Sequence, residues 1–113
     1  MIAILFEWRM VEPDQWQQLI AELDWQDKVQ NGTAMFEAGR STGRAVIIDV
    51  WQTLEALEYF LSSILALRLV NIGLPQPMMK AWSLSGNDRD AANVNNLALR
   101  KSLELSMVHA VRN

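Results

Sequence analysis

The segment VIIDVW, residues 46–51, constrains the fold most, because it runs directly into a helix-like sequence. Its unbroken Val-Ile-Ile run is typical of a central strand covered on both faces. Thr53 is a good N-cap, and apolar residues then recur at helical spacing. Gly73 followed by Pro75 should end this helix. The segment therefore predicts a buried strand that leads into an amphipathic helix.

Sequence patterns predict the elements that surround this pair. Alternating side chains indicate strands at 2–10 and 77–84, and a shorter one at 33–38 that precedes the buried strand at 45–51. Pro13 opens an amphipathic helix predicted over 13–26. The order is β-α-β-β-α-β, the split βαβ or ferredoxin-like arrangement, in which helices cover one face of a four-stranded antiparallel sheet. We expect an α+β fold.

The last part of the chain differs in composition from the rest. Small polar residues begin at Ser85, so we divide the chain into a domain at 1–84 and a linker with an extra C-terminal helix at 85–113. The helix is predicted over 90–109, and it carries an apolar stripe that has to pack on another surface. The stripe consists of Val94, Leu97, Lys101, Leu105 and Val108, widened by Leu99 and Leu103.

Composition excludes several classes of function. The formal net charge of −3 gives no basic surface for nucleic acid or for acidic lipids. The first ten residues lack the basic start of a signal peptide, and the longest apolar region is too short to span a bilayer. The chain has no cysteine, which fits a reducing cytoplasm and removes thiolate chemistry. Half of the residues are hydrophobic, which favours a protein that pairs with a second copy.

Three motifs point to a family: the strand end DVW, the helix TLEALEYFL, and the turn GLPQP before the last strand. Together they resemble the dimeric α+β barrel superfamily, specifically its antibiotic-biosynthesis-monooxygenase-like branch and the small bacterial proteins related to it. The resemblance covers residues 1–84. It implies a homodimer in which two sheets face each other, with a cavity for a ligand inside the barrel or between sheet and helices.

Haem-degrading members of this branch use an Asn, a Trp and a haem-ligating His. The matching positions here are Trp8, Phe60 and Val70, so none of the three is kept and haem degradation is excluded at this site. We expect no cofactor. The one histidine, His109, lies in the tail that the family does not cover, and a single His without Cys predicts no metal site.

Two carboxylates are the candidates for catalysis. Glu7 shares a strand face with Arg9, and Asp49 lies on the neighbouring predicted strand. A buried carboxylate beside an arginine can act as a general base, or it can form an ion pair at the end of the sheet. We favour the ion pair and keep the base as the alternative.

Aromatic residues are the candidates for ligand binding. Phe6, Trp8 and Phe36 could line a flat apolar pocket, and packing in the core or in a dimer is the simpler interpretation, because such side chains bury the most area. If Trp8 and Phe36 do bind a ligand, their side chains should point away from the helices. Trp51 we interpret mainly as a packing residue.

Two functions follow from these observations. The first is a homodimeric α+β barrel that binds a small apolar or aromatic molecule, with cofactor-independent monooxygenase chemistry on that molecule. The second is a non-catalytic stress-related or scaffold dimer whose barrel is filled by its own side chains. In either case we expect the C-terminal helix to dock across the dimer.

Overall fold

The computed structural model describes residues 1–23, 33–41, 43–84 and 94–112, and within these ranges it describes every side chain except those of 33–38 and 112. The chain forms an α+β structure with one four-stranded antiparallel sheet and a layer of helices. The strands are β1 (Ile2–Trp8), β2 (Thr33–Ser41), β3 (Arg44–Trp51) and β4 (Met78–Ser83). Their order across the sheet is β2-β3-β1-β4, which is compatible with a ferredoxin-like fold.

The helices are α1 (Pro13–Glu22), α2 (Leu54–Tyr59), α3 (Ala66–Ile72) and α4 (Asn96–Arg112). A π-helical segment, π1 (Phe60–Leu65), joins α2 to α3, so residues 54–72 form one continuous helix that we call the long helix. The wider turn of π1 was not predicted from the sequence. Phe60, Leu61 and Leu65 of π1 are buried in the core.

The predicted ends of the long helix are confirmed. The Thr53 Oγ1 accepts a hydrogen bond of 3.1 Å from the Ala56 amide, which caps the N-terminus. Gly73 has a φ of 86°, and the amide of Leu74 reaches back to the Leu69 carbonyl at 2.9 Å. This left-handed C-cap explains why the helix needs glycine at position 73.

Both of the other helix predictions need correction. α1 begins at Pro13 as expected, but it ends at Glu22 and is shorter than the predicted 13–26. The C-terminal helix spans Asn96–Arg112, later than the predicted 90–109. Asn95 caps it, because its Oδ1 accepts a hydrogen bond of 3.1 Å from the Ala98 amide.

α4 packs on the helix layer of its own chain, against π1 and α3. Leu99 and Leu103 join the same core cluster as the sheet residues, and Leu103 is fully buried. The sequence placed Leu97, Leu105 and Val108 in the packing stripe, yet all three side chains are exposed. Within its own chain, α4 therefore packs through the Leu99 and Leu103 part of the predicted stripe. Docking of the other stripe residues across a dimer stays a prediction.

The core lies between the sheet and the helices. From β1 it takes Ile2, Ile4, Phe6 and Trp8, and from β3 it takes Ala45, Ile47 and Trp51. Met79 and Ala81 of β4 complete the sheet side. None of the helices in the described part of the chain is long and apolar enough to cross a membrane.

Candidate ligand-binding surface

The sheet has a second face, which the described helices do not cover. Side chains alternate along a strand, and residues directly opposite each other on neighbouring strands share a face. Phe6, Ile47 and Met79 lie opposite one another and point to the helix side. The alternate residues of each strand therefore point to the other face. We call this the open face. It carries Ala3, Leu5, Glu7, Arg44, Val46, Ile48, Val50, Met78, Lys80 and Trp82.

Most of the open face is apolar. Ile48, Met78 and Trp82 expose 36%, 54% and 41% of their surfaces, and Leu5 and Val46 are half-buried. Ala3 and Val50 are buried but do not belong to the core cluster on the helix side. Contiguous apolar surface on a soluble protein commonly marks a binding site or an interface.

The charged residues of the open face include an ion pair. Arg44 donates two hydrogen bonds to the carboxylate of Glu7, from Nε to Oε2 and from Nη2 to Oε1, both 3.0 Å long. This bidentate pair lies at one end of the sheet, and the Glu7 side chain is 18% exposed. The hydrogen bonds from Arg44, helped by its charge and by that of Arg9, hold the pKa of Glu7 below its usual value of 4.5. Glu7 therefore forms an ion pair as we favoured, but with Arg44 in place of Arg9, the arginine that the sequence suggested.

The two candidate catalytic carboxylates are not brought together. Asp49 lies directly opposite Ile4 of β1, on the helix side of the sheet, and its side chain is fully buried. Glu7 lies on the open face, opposite Val46. A ligand on the open face can reach Glu7 but is separated from Asp49 by the sheet.

Phe6 and Trp8 lie in the core. They expose 1% and 2% of their surfaces, and the Phe6 ring contacts that of Phe60 edge to face with 6.3 Å between the centroids. The Trp8 Nε1 donates a hydrogen bond of 2.9 Å to the Pro75 carbonyl. Trp8 therefore points toward the helices, which corrects the expectation that it points away from them.

Phe36 is paired with Asp49 in the β2–β3 register, but its side chain lies outside the described residues. Trp51 is fully buried, and its ring centroid lies 4.9 Å from that of Phe60. The prediction that Trp51 is a packing residue is confirmed. Of the aromatic side chains described, Trp82 is the one that the open face presents to a ligand, at 41% exposure.

A small cleft of about 130 Å³ lies between the start of the long helix and α4. Its walls are Leu54, Glu58, Asn95, Ala98, Leu99 and Ser102. No sequence pattern indicates this cleft, because the packing of α4 against the long helix leaves no signal in either segment alone. The cleft has room for a few water molecules and is too small for a polycyclic ligand.

His109 is exposed near the end of α4. Among the described residues, no group of three or more His, Asp or Glu side chains is arranged to hold a metal ion.

Comparison with protein-family models, with curated proteins and with solved structures finds no match for this chain.

Proposed function

We propose that two copies of this chain pack sheet against sheet into a homodimeric α+β barrel, which binds a small apolar molecule between the open faces. The observation that carries the proposal is the apolar open face itself. Ile48, Met78 and Trp82 are exposed on the side of the sheet that the described helices leave uncovered. A second copy would bury them in a symmetric contact.

The order of the elements supports the same assembly. The β-α-β-β-α-β chain with strands arranged β2-β3-β1-β4 is what a ferredoxin-like subunit of the monooxygenase-like branch would have. The VW strand end and the GLPQP turn that suggested this branch lie at Trp51 and before β4. We therefore propose membership in that branch on the combination of motif and topology.

The position of the ligand follows from the packing on the helix side. Phe6, Trp8 and Phe60 pack together between sheet and helices, which favours an opening between the two sheets over one on the helix side. Its walls would be Leu5, Val46, Ile48 and Trp82 from each copy. This lining selects a flat apolar or aromatic molecule.

The catalytic form of the proposal uses Glu7, since it is the candidate carboxylate on the open face. Glu7 would take a proton from an activated CH₂ group of the ligand, and the carbanion would react with O₂. One oxygen atom would remain on the carbon as a ketone, and the other would leave as water. The lowered pKa of Glu7 opposes this role, because a carboxylate held by Arg44 is a weaker base.

The non-catalytic dimer is the second candidate, and the Glu7–Arg44 pair favours it. In that case the side chains of the two open faces would fill the barrel. Binding of a ligand distinguishes the two candidates.

Nile red, a neutral dye that fluoresces in apolar surroundings, is the probe for this test. We expect the wild-type protein to bind it saturably. Val46→Trp, which adds bulk to the open face beside Glu7, should abolish binding without changing the mass of the dimer. Leu67→Trp, on an exposed position of the long helix, is the matched control and should bind as the wild type does.

Undiminished binding by the dimeric Val46→Trp variant would contradict a site between the sheets. A dimeric wild type that binds no dye would support the filled barrel. Oxygen uptake with anthrone tests the catalytic form: it should exceed the uncatalysed rate and fall with Glu7→Gln. Uptake no faster than in buffer would contradict oxygenation of this class of substrate.

A further inference from the structure

α4 has two apolar faces, and its own chain covers one of them. Leu99 and Leu103 are 5% and 0% exposed in the core. On the opposite side, Leu97, Leu105, Val108 and Val111 expose 54%, 61%, 43% and 70% of their surfaces. An amphipathic helix that packs on its own domain normally turns polar residues outward. A second apolar face therefore indicates that another surface binds to it.

The exposed residues form one continuous stripe. Starting at Leu97, steps of four, three, four and three residues lead to Lys101, Glu104, Val108 and Val111. At about 100° per residue these steps keep the side chains on one face of the helix. We call this set, with Leu105 beside it, the outer stripe.

The outer stripe has the same spacing of apolar and charged positions in both directions along the helix. Leu97 precedes Lys101 by four residues, and Val108 follows Glu104 by four residues. If two such helices lie antiparallel about a two-fold axis between positions 101 and 104, each Lys101 faces Glu104 of the other copy. The same axis sets each Leu97 against the other copy's Val108. A self-complementary patch of this kind is what an isologous interface requires.

We propose that α4 pairs with α4 of a second copy through the outer stripe, antiparallel and in the register that joins Lys101 to Glu104. Both charged residues are exposed. The ion pair formed among the described side chains, Glu7–Arg44, involves neither of them. Opposite charges at the centre of an apolar seam fix register and orientation, which a purely apolar stripe would leave open.

This contact is separate from the sheet contact, because the outer stripe and the open face belong to different layers of the fold. One pair of helices buries less surface than a standard interface, so we expect weak pairing on its own. Joined to the sheet contact, it would assemble dimers into larger particles.

Charge reversal tests the pairing in a background that lacks the sheet contact. Every variant carries Ile48→Lys, so α4 pairing is measured as the association of 12.9 kDa monomers into dimers. The measurement is sedimentation equilibrium at protein concentrations up to about 1 mM. Lys101→Glu and Glu104→Lys alone should each weaken association by roughly thirtyfold, because two attractive contacts per dimer become repulsive. The double variant Lys101→Glu/Glu104→Lys should restore it.

An equimolar mixture of the two single variants gives the sharpest result. One copy then carries glutamate at both positions and the other carries lysine at both, so the mixture should associate more strongly than either variant does alone. Val108→Lys should also abolish pairing, and Leu67→Glu on the long helix should leave it unchanged.

Single variants that associate as strongly as the parent, or a parent that remains monomeric throughout this range, would overturn the proposal. The outcome does not depend on the barrel. If the sheet contact does not exist, Ile48→Lys changes nothing and the charge reversals give the same pattern.

Discussion

The side-chain amide of Asn96 forms hydrogen bonds with both backbone groups of Ala81, as a neighbouring strand would. Its Oδ1 accepts a hydrogen bond of 2.6 Å from the Ala81 amide, and its Nδ2 donates one of 3.0 Å to the Ala81 carbonyl. β4 lies at the edge of the sheet, where backbone groups would otherwise be unpaired. The first turn of α4 therefore protects this edge and anchors the helix to the sheet.

Asn96→Ala should destabilise the fold by about 1–3 kcal/mol, because it leaves both backbone groups of Ala81 without their partner. Asn96→Asp should cost at least as much, since a carboxylate oxygen would then face the Ala81 carbonyl. Urea denaturation followed by circular dichroism measures both effects. Asn95→Ser, which keeps a capping oxygen, is the control and should change stability little.

Alanine substitutions at two leucines of α4, two residues apart, should differ strongly in their effect on stability. Leu103→Ala should cost about 2–5 kcal/mol, because the side chain is fully buried. Leu105→Ala should change stability by less than about 0.5 kcal/mol, because this side chain is 61% exposed. Equal losses measured by urea denaturation at a concentration where the protein is monomeric would contradict the described docking of α4.

The Trp8 indole should matter for stability through its hydrogen bond. Trp8→Phe keeps most of the ring volume but leaves the Pro75 carbonyl without its donor, which should cost about 1–3 kcal/mol. Because Trp8 lies on the helix side, binding of Nile red should survive in the folded variant. Loss of dye binding at full stability would mean that Trp8 touches the ligand.

The Glu7–Arg44 pair predicts a dependence of stability on pH. The pKa of Glu7 is lower in the folded state than in the unfolded chain, so the folded protein holds its proton less strongly. The stabilisation is therefore present above the ordinary pKa of 4.5 and is lost as the pH falls through the lowered folded value.

Arg44→Gln should raise the pKa of Glu7, and a carbon-13 NMR titration of the Glu7 carboxyl measures the change. The stability difference between wild type and variant should be constant near neutral pH and should shrink in acid. Arg9→Gln should shift the Glu7 pKa less, because Arg9 acts on Glu7 by its charge alone. A Glu7 pKa that does not move in Arg44→Gln would contradict the pairing.

Local signals were enough to predict the order of the elements and the ends of the long helix. Thr53 and Gly73 act on the backbone within a few residues of themselves, so their roles can be inferred without tertiary structure. The π-helical turn at Phe60–Leu65 is different, because the apolar spacing of this segment also fits an α-helix.

Which side of each element is buried could not be inferred in the same way. Alternation in β1 shows that Phe6 and Trp8 share a face, but both faces of this strand contain apolar residues, so the pattern does not say where the helices lie. α4 presents the same problem, with Leu99 and Leu103 on one side and Leu97 and Val108 on the other. In both cases contacts with distant segments decide which apolar face is buried.

The mass of the Lys101→Glu protein in solution tests the sheet-to-sheet dimer most directly, because this substitution removes α4 pairing. By sedimentation velocity at about 10 μM, the protein should have twice the chain mass of 12.9 kDa. Adding Ile48→Lys to the open face should reduce it to a monomer, and adding Leu67→Lys to the long helix should not. A Lys101→Glu protein that sediments as a 12.9 kDa monomer, or a dimer that Ile48→Lys leaves intact, would contradict the proposed barrel.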